Sequence, residues 1–223
     1  MRLLSKIILA MVACLFSITG NAVIRLKDSK DTLSHQSIGH YWNGKLVEGK
    51  ALPVQGTGYS LIRLERHNNY GHESLIEFIE ELSKEAKEKQ LGTVWVGDLS
   101  AHRGGRLAKN HRSHQNGLDV DIFFYGEKSL QSASVAGGKS GVNHLWKPAH
   151  GELIRLTSEY DKVERIFVNQ GIKKHLCKFY KGASWLSKVR TAKGHANHMH
   201  VRLTCPADSP KCHPQGEPKG RTC

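Results

Sequence analysis

Two short segments carry the residue types that could hold a metal ion. The first runs His111-Arg112-Ser113-His114-Gln115-Asn116-Gly117-Leu118-Asp119-Val120-Asp121-Ile122-Phe123. It reads as a loop entering a strand, with Leu118, Val120 and Ile122 on one face and Asp119, Asp121 and Phe123 on the other. Two carboxylates on one strand face are costly to bury unless something positive meets them. Gly117 permits a tight turn that returns the His114 imidazole toward Asp121. The second segment is Gly194-His195-Ala196-Asn197-His198-Met199-His200-Val201. As a strand it puts His198 and His200 on one face and turns Met199 and Val201 into the core.

The chemistry this set could do is hydrolysis at a metal. A catalytic zinc takes three protein ligands and leaves a fourth position to water. His114, Asp121 and His200 supply two neutral nitrogens and a carboxylate. Zinc so held lowers the pKa of its water and polarises a carbonyl. His198, one pleat from His200, is placed for a general base or an oxyanion donor, and His195 can reach the same centre. With fourteen histidines in the chain, a lone His-x-His pair carries little weight. Two segments with same-face geometry carry much more. The chain offers no Ser-x-x-Lys and no Gly-x-Ser-x-Gly. His72-Glu73 is followed by Ile76 where a His-Glu-x-x-His motif requires its second histidine.

The elements that must position these residues are legible in part. Leu75, Ile76, Ile79, Leu82 and Ala86 recur at helical spacing, with Gly92 as the stop. Thr93 to Val96 reads as a buried strand, and a short strand precedes the helix near Tyr59 to Leu64. Helices are expected at 148–160 and 172–180, a short one at 185–189, and a strand at 163–168. Residues 23–60 read as a loop-rich wrap, and 126–143 as an exposed, mobile loop. Arg103-Gly104-Gly105-Arg106 reads either as a solvated turn or as a clamp for substrate carboxylates. No repeat or interdomain linker is visible. The expected fold is a single α+β domain, with a central antiparallel sheet, flanking helices, long loops and the zinc site on the sheet.

Residues 1–22 read as a cleaved signal peptide: Arg2 and Lys6, an apolar run from Ile7 to Ile18, then a small-residue site at Ala22. Residues 23–223 would form the domain, with no stable membrane insertion. The formal charge of +13 is drawn to polyanions, and charge alone does not choose among them. An exported nucleic-acid binder would follow from charge only. Cys177, Cys205, Cys212 and Cys223 remain after the leader, an even number that favours disulfides in an exported chain. A structural zinc on Cys205, Cys212 and His213 is the rival reading.

Ser113-His114, Leu118, Val120-Asp121 and His198-x-His200 together resemble the zinc peptidases that include lysostaphin-type enzymes, D-Ala-D-Ala carboxypeptidases and the hedgehog signalling domain. The resemblance narrows over Leu52-Pro53, Gly56, Gly58-Tyr59, Val96-Gly97-Asp98-Leu99-Ser100, Arg103-Gly104-Gly105, Val163 to Asn169 and Cys205 to Pro210. These are similar to the penicillin-insensitive murein endopeptidases. The resemblance implies a periplasmic zinc enzyme that cuts the D-alanyl–meso-diaminopimelyl cross-links of peptidoglycan and binds no nucleic acid. It implies His114, Asp121 and His200 as zinc ligands and His195 and His198 as the catalytic pair. It also implies a second metal position using His111, for which His150 is the candidate partner. Cys205–Cys212 and Cys177–Cys223 are the expected bridges, from proximity in sequence and the resemblance. A non-catalytic wall binder is the rival, and the presence of His195 and His198 argues against it.

Overall fold

The computed structural model describes residues 35–108, 111–138, 141–216 and 223. The signal peptide read at residues 1–22 lies outside them. The chain opens with a hairpin of β1 (Ser37–His40) and β2 (Asn43–Leu46). Two-residue strands follow, β3 (Lys50–Ala51) and β4 (Gln55–Gly56), then β5 (Tyr59–Leu61), β6 (Tyr70–Gly71), helix α1 (Glu73–Glu88) and β7 (Val94–Val96). Next come β8 (Asp119–Phe123), α2 (Pro148–Glu159), β9 (Val163–Val168), α3 (Gln170–Phe179), β10 (Val189–Thr191) and β11 (His198–Leu203). Short 3-10 turns occupy Leu64–Arg66 and Ser184–Lys188.

Seven strands form one sheet in the order β10-β9-β11-β8-β7-β5-β4, and β3 pairs with β6 apart from it. The expected antiparallel sheet is mixed. Its centre, β9-β11-β8-β7, is antiparallel, whereas β5·β7 and β9·β10 are parallel. The cause is connectivity: α1 joins β5 to β7 and α3 joins β9 to β10. A crossover helix returns the chain to the end it left, so the two strands it joins run the same way.

Helix α1 buries Leu75, Ile76, Ile79, Leu82 and Ala86 against the core, as their spacing requires. Its N-terminus is capped by His72, whose Nδ1 accepts from the Ser74 N–H. It stops earlier than Gly92. Gln90 takes φ 57°, Gln90 N–H donates to the Lys87 carbonyl, and Leu91 N–H donates to the Ala86 carbonyl. That is a Schellman ending, with glutamine in the left-handed position.

Two further expectations change. The N-terminal wrap is tied down by Tyr41, whose buried hydroxyl donates to the Leu203 carbonyl at 2.8 Å. Residues 126–138 are largely exposed as expected, but they are anchored at Val135, which is fully buried and whose N–H donates to the Ala196 carbonyl at 2.8 Å. Both expected disulfides, Cys177–Cys223 and Cys205–Cys212, are formed. Cys205 and Cys212 are therefore not free for a zinc with His213. Among the described residues, no helix is long and apolar enough to cross a membrane.

Candidate metal centre and active-site cleft

The site is written across the register of β8 and β11. Asp119 stands opposite Arg202, Asp121 opposite His200 and Phe123 opposite His198. Alternation puts all six on one face of the sheet. The intervening residues, Val120, Ile122, Met199 and Val201, are fully buried in the apolar core behind it.

Asp119 is the organising carboxylate beneath the site. Arg202 donates to it twice, from Nε to Oδ1 at 2.8 Å and from Nη2 to Oδ2 at 2.9 Å. The His114 N–H donates to Oδ2 at 3.0 Å. Burial would raise the pKa of Asp119, but Arg202 and His200 hold it well below the usual carboxylate range. Arg202 is fixed in turn by stacking on Tyr41, 4.1 Å from the ring centroid.

His114 sits in the left-handed region at φ 65°. A non-glycine residue there is strained and needs its surroundings to hold it. Its N–H bond to Asp119 is one restraint. The bond from its Nδ1–H to the Leu99 carbonyl, at 2.8 Å, is another. With Nδ1 protonated, Nε2 offers a lone pair and lies 3.3 Å from Asp121 Oδ1. Gly117, at φ 77°, closes the turn against Leu46, where a Cβ would meet a methyl carbon at 2.7 Å. The β1–β2 hairpin props the same turn, with Ser37 Oγ donating to the Asn116 carbonyl and Gln115 N–H to that of Tyr41.

His200 turns Nδ1 toward Asp121 Oδ1 at 3.1 Å and Nε2 toward Asp119 Oδ1 at 3.2 Å. Burial would lower its pKa, but the two carboxylates push it up to about 9 in the metal-free chain. Asp121 is itself held well below the carboxylate range: burial opposes ionisation, and His114 and His198 outweigh it. Yet Asp121 Oδ1 and His200 Nε2 are both buried without a hydrogen bond of good geometry. Bonds of 2.0–2.1 Å to a tetrahedral zinc separate ligand atoms by about 3.3 Å. The His114–Asp121 and His200–Asp121 separations fit that edge, so the donor set suits the metal. His111 joins the cluster, since it, His114 and Asp121 can each place a ligand atom within 4.8 Å of the other two. Its Nε2 also faces Asp98 Oδ2 at 3.5 Å. His150 is engaged elsewhere. Its Nδ1 accepts from the Lys147 N–H at the start of α2, and its ring packs among Phe124, Tyr125 and Trp146. The structure does not pair it with His111.

His198 stacks on Phe123 at 4.9 Å, and its Nε2 lies 3.7 Å from Asp121 Oδ1. Its Nδ1 bonds Asn197 Oδ1 at 2.8 Å. Burial drives its pKa down to about 4, so it is neutral near pH 7. His195 lies 4.9 Å from His198 between ring centroids and donates from Nδ1 to the Lys193 carbonyl at 2.8 Å.

These histidines line a cleft of about 1090 Å³, whose walls carry Trp42, Arg63, Arg66, Arg112 and Lys193. The turn at Arg103–Arg106 is not part of it. Gly104 packs against the Gln115 carbonyl and the Leu46 backbone, and Arg106 lines an adjoining groove. Asp98, Asn197, Arg202, Arg63 and Arg66 carry no catalytic motif in sequence. Arg202 had one signal, the period-two continuation of His198 and His200, and Asp98 another, its place in the Val96-Gly97-Asp98-Leu99-Ser100 run that carries the resemblance.

A family model described as penicillin-insensitive murein endopeptidase matches residues 37–223. A protein of that name from Klebsiella pneumoniae (strain 342) is 42% identical over 197 residues, covering 83% of this chain and 72% of its own length. Its namesake from Yersinia enterocolitica is 42% identical with the same coverage. That of Haemophilus influenzae is 41% identical, over 83% of this chain and 70% of its own. The chain therefore belongs to the penicillin-insensitive murein endopeptidase family.

Proposed function

We propose that this protein is a periplasmic zinc endopeptidase that hydrolyses D-alanyl–meso-diaminopimelyl cross-links of peptidoglycan. One observation carries the metal assignment: the buried Asp121 Oδ1, without a hydrogen bond of its own, faces His114 Nε2 and His200 Nδ1 at metal-ligand spacing. The curated relatives, named murein endopeptidases, supply the substrate class. The basic cleft suits a wall peptide with free carboxylates.

In this reading His114, Asp121 and His200 hold the zinc, and His111 is a further ligand or the start of a second position. Zinc bound there supplies a nucleophilic water near neutral pH and Lewis-acid polarisation of the scissile carbonyl. Asp119 orients His200 from behind, as a carboxylate commonly does for a ligating imidazole. His198 and His195 both use Nδ1 in a hydrogen bond, which leaves Nε2 unprotonated in the neutral ring. Both are thus proton acceptors at rest. His198 takes the proton that the attacking water gives up and passes it to the departing amine.

The test is digestion of purified peptidoglycan, with the new amino and carboxyl ends identified and metal measured on the same sample. New D-alanyl carboxyl ends and diaminopimelyl amines, lost with a chelator and restored by zinc, are expected. Undiminished cleavage after removal of all metal would overturn the assignment.

A further inference from the structure

Arg63 stands on the cleft wall just before the 3-10 turn Leu64–Arg66, in the left-handed region at φ 60°. Its guanidinium lies over the Phe123 ring, 4.2 Å from the centroid, and the same ring stacks on His198. The nearby carboxylate is Asp98, and Arg63 has a poor share of it. Arg66 reaches Asp98 Oδ2 at 2.6 Å, while Arg63 stands 4.0 Å from the same oxygen. Asn68 takes the other oxygen at 2.9 Å. Two guanidinium groups and His111 thus share Asp98 at close range, and among the described residues Arg63 is otherwise met only by the more distant charges of Asp121 and Glu65. Burial, and then Arg66, press the pKa of Arg63 down, as expected for a cation short of a partner.

Resting on the reading proposed above, we infer that Arg63 binds the substrate carboxylate adjacent to the scissile bond and so selects a leaving group that carries a free acid. In the cross-link, the carbon bearing the departing amine also bears a free carboxylate. The spacing agrees with this. Phe123 follows Asp121 by two residues of strand, about 7 Å. One residue of extended substrate spans about 3.5 Å, and a hydrogen bond adds about 3 Å. A carbonyl over Asp121 therefore places the next carboxylate beside the guanidinium above Phe123. Arginine suits this role because its planar fork engages both oxygens while its face rests on an aromatic ring.

The test compares two cross-linked muropeptide dimers that differ only in this group, one with the free carboxylate and one with it amidated. Each is digested by the zinc-loaded wild type, Arg63→Ala and Arg63→Lys, with zinc content and melting temperature recorded for every protein. A hydrogen-bonded charge pair predicts that the wild type prefers the free acid about ten- to a hundredfold in kcat/KM. In Arg63→Ala the preference collapses toward one, with the loss falling on the free acid. Arg63→Lys keeps part of it. Equal losses on both substrates, or a wild type that does not discriminate, overturn the inference. A wild type that cuts neither dimer overturns the underlying function and this inference with it.

Discussion

Asp119 Oδ1 lies 3.2 Å from His200 Nε2, on the side of the ring away from Asp121. If His200 is a ligand as proposed, a carboxylate at this distance would back its imidazole and favour one tautomer and orientation. Replacing the backing group typically costs ten- to a hundredfold in metal affinity. Asp119→Asn is therefore expected to weaken zinc binding by about that factor, although the residue touches no metal. The same change removes the charge opposite Arg202, a buried cation, so the melting temperature also falls. Competition against a calibrated chelator measures the first effect and calorimetry the second. Unchanged affinity refutes the backing role.

His114→Ala and His200→Ala each remove one of the nitrogens that face Asp121. Both are expected to lose stoichiometric zinc and wall-cutting activity together. Full zinc occupancy in either variant contradicts the ligand set.

His198→Ala separates proton transfer from metal binding. Retained zinc and fold are expected, with turnover lower by at least about a hundredfold and a smaller effect on KM. Release of zinc by this variant makes His198 a ligand. Near-normal turnover moves the proton role to His195.

The metal-free protein is expected to be most stable close to neutral pH. His198 and His150 are held at about 4 by burial, below the ordinary histidine value of about 6.5. The unfolded chain binds more protons between those values, so stability falls as pH drops from about 6.5 toward 4. His200 acts in the opposite direction. Raised to about 9, it stabilises the fold fully below about 6.5, and that contribution is lost as pH rises through 9. In the proposed site zinc would take the place of the proton on His200, so loading the metal should flatten the alkaline limb, and because protons compete for the same histidines it should steepen the acid limb. Melting curves across pH, with and without zinc, test this. Identical alkaline limbs contradict it.

Penicillin is expected to leave cleavage untouched and not to label the protein, whereas a chelator abolishes cleavage. Ser113 does line the cleft, but among the described residues no hydrogen bond ties its hydroxyl to a base. Stoichiometric covalent labelling by penicillin refutes the expectation.

Sequence reading put Asp121 and His200 on one face of their strands because a strand's period of two leaves a visible trace, whereas His114 was placed only by the turn at Gly117. The apolar partners Val120, Met199 and Val201 mark the buried face, and the site is what remains. The parallel pair around α1 was legible in the order strand, helix, strand, but the one around α3 was not, because β10 has only three residues and follows a short helical turn. Arg63 could not be read, because it sits where no periodicity exists and meets Asp98 and Phe123 only through the fold, and Asp98 was visible only as part of the family resemblance. The turn at Arg103–Arg106 stayed open between two readings for the converse reason. A cation-rich glycine turn looks the same whether it clasps a ligand or, as Gly104 does here, lies against the backbone of Leu46 and Gln115. Gln90 ended α1 before Gly92 because polar residues other than glycine also adopt a left-handed cap at modest cost.

The pairing of Asp121 with His200 has a bearing on when the protein becomes dangerous to a wall. The two halves of the proposed ligand set lie far apart in sequence, and Asp121 meets His200 only when β11 has docked on β8. A slip of one residue would send Asp121 and His200 to opposite faces. An incompletely folded chain therefore has no means of holding the ion between these two strands. On the proposed ligand set, hydrolytic capacity depends on the pairing of β8 with β11, and unfolding would abolish it without an inhibitor.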